Sequence, residues 1–405
     1  MKRFFTLLFT ALLLTAALCV SASASQYDSV AQDLSAIGMF RGTGNGFDLD
    51  RAPTRSEAAI MLVRLYGAED KAKAAYDAGE ITHPFTDVSA YTSPYVAWLY
   101  TNGITNGTSA TTFGSGRACT LQNYVVFLLR ALGYKDGTDF QYAQATNLAQ
   151  TCGFYTPLLF DGTFLRDDLA ALTYQALAAN VKGTDTSLLA SLIASGAIDK
   201  TAAKPLTDKI DAYRALVTST SGMESHSMDL DTVSVTDMTI KADGKTTSSK
   251  MTTSSSTQSI INGSDIRMAV TSKTTADGTA VESSSWIKDG WLYTATAAED
   301  GTTKIKLSVG DDFAELEDLV QLPDLNVSGL ATVKSISSRK SGTDTVYTLV
   351  VDKNTLNGLM DSIMTGMLGS FGSMDDVKFF TQFSDMTIHY TVGSQGALKG
   401  LHTVY

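Results

Sequence analysis

Cysteine, histidine and proline are scarce in this chain: its 405 residues include three cysteines, four histidines and six prolines. Three cysteines exclude a disulfide-stapled scaffold. His83, His226, His389 and His402 lack the short His/Cys spacings that hold zinc, so neither a metal site nor a cofactor is expected. Charge is also low, at 18% of residues, and 31 Lys+Arg face 42 Asp+Glu for a net −11. That balance argues against nucleic acid as the main partner, because a phosphate backbone selects basic surfaces. A hydrophobic fraction of 44% excludes wholesale disorder.

Recognisable catalytic constellations are missing as well. There is no Gly-x-Ser-x-Gly elbow and no phosphate loop. Gly42-Thr-Gly44-Asn-Gly46 resembles a dinucleotide fingerprint but lacks the strand before it and the helix after it. Asp48 and Asp50 lack the further spaced oxygens of a calcium loop and read as a turn. Asp311-Asp312 and Asp375-Asp376 suit helix N-termini better than glycoside hydrolysis. No enzyme is expected.

What is present begins with a leader. Lys2 and Arg3 precede an apolar run from Phe4 to Val20, and Ala22-Ser23-Ala24 offers a small-x-small cleavage pattern. Residues 1–24 therefore read as a secretion signal, with an uncleaved anchor or a lipid-modified Cys19 as alternatives. Nothing later is long and apolar enough to span a membrane. Cys119 and Cys152 remain afterwards, either as a disulfide pair or as two small buried hydrophobes.

The length suggests two or three folded units, and the first is repetitive. Residues 85–134 read Phe85-Thr-Asp87-Val88, then Tyr95-Val-Ala-Trp98-Leu99-Tyr100, then Gly103-Ile104 and Gly107, then the apolar stripe Val125, Leu128, Leu129 and Leu132. The spacing predicts helix, glycine-rich loop, helix. The same order recurs at about 27–70, where Thr54 and Glu57 form a capping box at the second helix, and at about 139–182, where Leu165-Arg166-Asp167-Asp168 opens it.

These residues resemble S-layer homology (SLH) repeats, whose pattern is Phe-x-Asp-Val, a tryptophan, a Gly-Ile-x-x-Gly turn and Thr-Arg-Ala-Glu. The resemblance implies an all-α, pseudo-threefold domain over residues 26–200 that binds secondary cell-wall polysaccharide, pyruvylated in that family, in grooves between repeats. It implies that Arg55 meets the acidic ketal or a sugar oxygen while Thr54 and Glu57 hold the turn that presents it. It places Arg166 and Asp168 at the equivalent positions of the third repeat. Thr120-Leu121-Gln122-Asn123 lacks that arginine in the second, and Tyr91 stands at the tryptophan position, where it can stack on a sugar. The implied location is the cell wall or surface of a Gram-positive-type bacterium.

After Lys200-Thr-Ala-Ala-Lys-Pro205, a linker or domain edge, the composition changes. Between Gly244 and Ser285, 20 of 42 residues are Ser or Thr, and proline is absent. Asp243-Gly244, Asn262-Gly263, Asp277-Gly278, Asp289-Gly290 and Asp300-Gly301 mark hairpin turns between alternating stretches. Residues 201–405 thus read as an α+β domain with an antiparallel meander, continuing at Val333–Ile336, Val346–Val351 and Met386–Val392. Helices are expected around Leu206–Val217, Phe313–Val320 and Leu356–Phe371, the last with a full apolar stripe. This half resembles the curved sheet with packed helices of LolA-like lipoprotein carriers. The resemblance implies a lipid or other apolar ligand near Met360, Met364 and Met367, which otherwise fill the core.

Overall fold

A computed structural model describes residues 26–42, 46–160, 162–220, 225–242, 245–262, 265–276, 279–288, 291–298, 301–308, 329–355, 357, 385–394 and 398–404. The expected leader, the helix expected at 313–320, most of that expected at 356–371, and Met360, Met364 and Met367 lie outside the described residues. No helix among the described residues is long and apolar enough to cross a membrane. The chain divides into two compact units, a helical one over Tyr27–Asp211 and a strand-rich one that begins at Ala212.

The helical unit contains α1 (Asp28–Ala36), α2 (Arg55–Leu65), α3 (Glu69–Asp77), α4 (Ser93–Thr101), α5 (Leu121–Ala131), α6 (Ala145–Thr151), α7 (Arg166–Ala178) and α8 (Leu188–Ala194). The predicted pairs appear as α1/α2, α4/α5 and α6/α7. Their apolar stripes meet in one core, where Leu62, Leu99, Phe113, Tyr124, Leu128, Leu129 and Leu172 are buried. Each such side chain contributes about 1.5–3 kcal/mol by leaving water. Helix α3 was not expected from the sequence; its Glu69 and Asp70 in the first turn and its alanines suit a short helix.

Backbone hydrogen bonds knit the helix starts to neighbouring loops with equal offsets. At α2, Arg55 N donates to Arg117 O (2.8 Å) and Ser56 N to Ser115 O (3.3 Å). At α7, Arg166 N donates to Arg51 O (2.9 Å) and Asp167 N to Leu49 O (3.1 Å). In each case the first and second helical residues meet carbonyls three and five positions before the next capping residue, Thr120 or Thr54. These bonds satisfy helix-end donors that would otherwise need water.

Helix α9 (Lys200–Thr220) corrects the expectation of a linker at Lys200–Pro205, because the helix runs through Pro205. Proline there removes one backbone donor in the second turn. Burial of Ala203, Leu206 and Ile210 along one face outweighs that loss.

In the second unit, β1 (Ser225–Ala242), β2 (Lys245–Asn262), β3 (Asp265–Ala276), β4 (Thr279–Lys288), β5 (Trp291–Ala298) and β6 (Gly301–Ser308) form an antiparallel meander in sequence order. A second sheet has the order β10-β9-β8-β7, from β7 (Val333–Ser341), β8 (Asp344–Val351), β9 (Met386–Val392) and β10 (Leu398–Val404). The closing pairs Ala242/Lys245, Ala276/Thr279 and Lys288/Trp291 bracket the expected Asp-Gly dipeptides. At the other two turns Asn262 pairs with Asp265 and Gly301 with Ala298, so the connecting dipeptides are Gly263-Ser264 and Glu299-Asp300, each one residue from expectation. The alternation is real: Ile287, Leu292 and Thr294 are buried, while Trp286 and Trp291 on the other face are exposed.

Gly107 is the glycine whose replacement tests the repeat's turn. Its φ is +73°, and an added Cβ would meet the Phe85 ring at 2.4 Å and Thr112 O at 2.7 Å. Gly107→Ala is therefore expected to cost about 2 kcal/mol or more in denaturant unfolding of the helical unit.

Candidate functional site

The expected site residues gather at the starts of α2 and α7. Thr54 caps α2: its Oγ1 accepts from Glu57 N (3.2 Å), and Thr54 N donates to Glu57 Oε2 (2.8 Å), completing the capping box. Glu57 does more than cap. Arg51 forms a bidentate pair with it, Nη1 to Oε2 at 3.0 Å and Nη2 to Oε1 at 2.6 Å. Arg166 Nη1 reaches the same Oε1 at 2.8 Å. Burial pushes the Glu57 carboxyl upward, but hydrogen bonds from Arg51 and Thr54 and the Arg166 charge outweigh it, bringing the pKa to about 2.

Arg166 is accordingly an interior residue. Its Nε donates to Phe47 O (3.1 Å), and its guanidinium lies over the Phe40 ring at 5.0 Å. It ties α7 to the loop before α2. Asp168 Oδ2 accepts from Leu165 N (2.7 Å), the acid's half of a capping box in which Leu165 has no side-chain oxygen to return.

Arg55 is placed differently. Its guanidinium sits over Phe113 at 4.9 Å and Phe127 at 5.7 Å, with a long 3.5 Å contact from Nη2 to Thr105 Oγ1. Its buried Nε meets no hydrogen-bond partner among the described residues. Burial lowers its pKa, and the charged or ionisable groups it feels are Cys119, Arg130, Tyr142 and Arg117. None is a carboxylate. By contrast Arg41, Arg51, Arg64, Arg130 and Arg166 each pair with a carboxylate. Arg55 is thus a half-buried cation between α2 and the 113–127 segment that pairs with no carboxylate among the described residues.

Tyr91 is not brought to Arg55. It is 67% exposed, and its ring neighbour is Tyr95, whose hydroxyl donates to Glu69 Oε1 (2.7 Å). The exposed ring near Arg55 is Tyr142, whose OH donates to Asn123 Oδ1 (3.1 Å). Nothing in the linear pattern pointed to Tyr142, because it comes from the segment just before α6. Sequence reasoning also missed Glu69, which gathers Arg64 Nε (2.9 Å), Lys73 Nζ (2.8 Å), Arg41 Nη1 (3.3 Å) and Tyr95.

Asp87, the acid of the Phe-x-Asp-Val element, accepts from Phe113 N (2.7 Å), Gly114 N (2.7 Å) and Ser115 N (3.0 Å). It holds the loop whose Ser115 carbonyl receives α2, and so positions Phe113 beneath Arg55. Cys119 and Cys152 are both unbonded thiols; Cys119 is buried, and burial lifts its pKa to about 12. Among the described residues no group of His, Cys, Asp and Glu could hold a metal ion.

The carboxyls of Glu57 and Glu69 are both held at about 2, below the ordinary value of 4.5. Because the folded-state pKa is depressed, their stabilisation is present above about 4.5 and lost as pH falls toward 2. The helical far-UV signal should melt at constant temperature from pH 7 to 5 and progressively lower below that. Glu57→Gln should flatten this slope and cost about 2 kcal/mol at pH 7 by stranding Arg166.

No curated protein matches the chain. A family model, S-layer homology domain, matches residues 84–120, which span the Phe-x-Asp-Val element, α4, the Gly103–Gly107 turn and the loop that receives α2. The chain carries an S-layer homology domain at residues 84–120.

Proposed function

We propose that this is a cell-surface protein held non-covalently to a secondary cell-wall polysaccharide, with Arg55 as the contact for an acidic group on the glycan. The observation that carries the reading is the half-buried Arg55 guanidinium, poised on two aromatic rings with no carboxylate partner among the described residues. A planar guanidinium suits bidentate recognition of a carboxylate such as a pyruvate ketal. Arg117 and the exposed Tyr142 stand near it, adding a positive charge and a ring for a sugar face.

The S-layer homology domain supports a bacterial surface location. The leader at 1–24 supports secretion, and a wall polymer implies a Gram-positive-type envelope. The equal offsets of the α2 and α7 hydrogen bonds support the reading of three repeats about a pseudo-threefold axis. In this reading the groove at Arg55 is the chemically equipped one. Arg166 is consumed by Glu57 and acts in architecture, and the second repeat carries Leu121 where the arginine after the capping threonine would stand. The function is binding and display, not catalysis.

Co-sedimentation of the full chain with sacculi tests this. Wild-type protein should pellet with intact sacculi and stay soluble with sacculi whose secondary polymer has been stripped by acid. Arg55→Ala should weaken binding by about tenfold or more, and Arg55→Lys should not restore it. Pelleting that survives polymer removal, or is indifferent to Arg55, would overturn the proposal.

A further inference from the structure

Three helix starts share a sequence position and carry out three different tasks. The capping residue and the three after it read Thr54-Arg55-Ser56-Glu57 at α2, Leu165-Arg166-Asp167-Asp168 at α7 and Thr120-Leu121-Gln122-Asn123 at α5. At α5 the arginine and the acid are both replaced, yet the turn is fully engaged. Thr120 Oγ1 accepts from Asn123 N (3.3 Å), which caps the helix, and also from Asn123 Nδ2 (2.8 Å). The second bond fixes the amide, whose Oδ1 accepts from Tyr142 OH (3.1 Å). Gln122 Nε2 donates to the Tyr142 carbonyl. The residues that stand where α2 has Ser56 and Glu57 thus hold Tyr142 at both its backbone and its hydroxyl.

Tyr142 gains little burial in return. It is 52% exposed, so about half of its surface still meets water. Hydrogen bonds that immobilise an exposed side chain cost conformational entropy without removing much apolar area, an arrangement that suits a residue pre-organised for a ligand. Its place in the fold identifies the site. Asn123 and Phe127 are four residues apart on α5, one turn above the other on the same face and about 6 Å apart along the axis. Phe127 is one of the two rings beneath the Arg55 guanidinium, and Tyr142 is among the groups whose field Arg55 feels. The Tyr142 ring and the Arg55 guanidinium therefore border the same groove, and with its hydroxyl engaged Tyr142 offers that groove its aromatic face.

Arginine alone does not sort anions, because a guanidinium pairs bidentately with carboxylate and phosphate alike. An aromatic face does sort what carries the anion. Its negative π density attracts the C–H groups of a flat sugar ring and finds no matching surface on an open chain. We propose that Tyr142 is the specificity-determining residue of the Arg55 groove, with Gln122 and Asn123 as its positioning residues. Together they select a polymer whose carboxylate is carried on a pyranose ring over one whose anion is a phosphodiester in an open polyol chain. The inference rests on the reading of Arg55 as the glycan contact, and it gives the start of α5 a part in binding although Leu121 replaces the arginine there.

The test pellets the full chain with intact sacculi in the presence of soluble competitors. These are the pyruvate ketal of a methyl glucopyranoside, the dimethyl ketal of pyruvate, which has the same carboxylate without the ring, and glycerol phosphate. The sugar ketal should release wild-type protein at about one-tenth the concentration needed of either ring-free anion. Tyr142→Ala should abolish that preference while its weakened pelleting still depends on Arg55. Tyr142→Phe, which keeps the ring but loses the bond to Asn123, and Asn123→Ala should each reduce the preference about threefold, and the double variant no further. A purely structural role for Asn123 does not produce that coupling, and unchanged far-UV spectra separate lost selectivity from lost fold. Equal release of wild-type protein by ring-bearing and ring-free anions, a preference that survives Tyr142→Ala, or additive losses in the double variant would overturn the inference, while pelleting that needs Arg55 would leave the earlier reading standing. Absence of polymer-dependent pelleting would overturn both.

Discussion

The Glu57 carboxylate is the constraint on which the helical unit depends. One side chain closes the capping box of α2, receives both guanidinium nitrogens of Arg51 and anchors Arg166 at the start of α7. Two cations and a helix N-terminus share one acid, so its charge is strongly favoured and its pKa falls to about 2. Helices α2 and α7 are joined through this carboxylate. Arg166 is buried because Glu57 is there to neutralise it.

That arrangement determines which arginine remains available. Arg166 and Arg55 occupy matching positions, the first residue of a helix after a β-region cap. Arg166 is directed to Glu57, Phe47 and Phe40, whereas Arg55 is directed over Phe113 and Phe127, where no acid among the described residues pairs with it. Asp87 matters for the same reason, since it fixes the loop that presents Phe113 and receives α2. Two helix starts of the same sequence grammar thus present their first arginine differently, and the partner acid decides between them.

The strand unit applies a different economy. One face of the meander buries Ile287 and Leu292 and runs hydroxyl pairs between strands, Ser272 with Ser283 at 2.7 Å and Ser285 with Thr294 at 3.1 Å. These bonds let a Ser/Thr-rich sheet bury polar positions without leaving them unsatisfied. The opposite face carries the aromatic and basic residues. Both halves of the chain thus set cations beside aromatic rings on a molecule that is acidic overall.

The local grammar was legible in the sequence. Period-3.6 stripes, the Thr54/Glu57 capping box and glycines at helix ends describe short-range physics, and they delivered α1, α2, α4, α5 and α7; the hairpin turns delivered the order of β1 to β6, while the later strands, expected to continue that meander, form a sheet of their own. Asp-Gly turns placed three hairpins correctly; two slipped by one residue, because register is decided by side-chain pairing along the whole strand and not by the turn dipeptide alone. Pro205 read as a break and proved to lie inside α9, since burial of a helix face outweighs one missing donor. The division of labour between Arg55 and Arg166 was invisible, as was the arrival of Tyr142 beside Arg55. Each depends on which carboxylate or ring a distant segment brings within a few ångströms, and only the tertiary structure sets those distances.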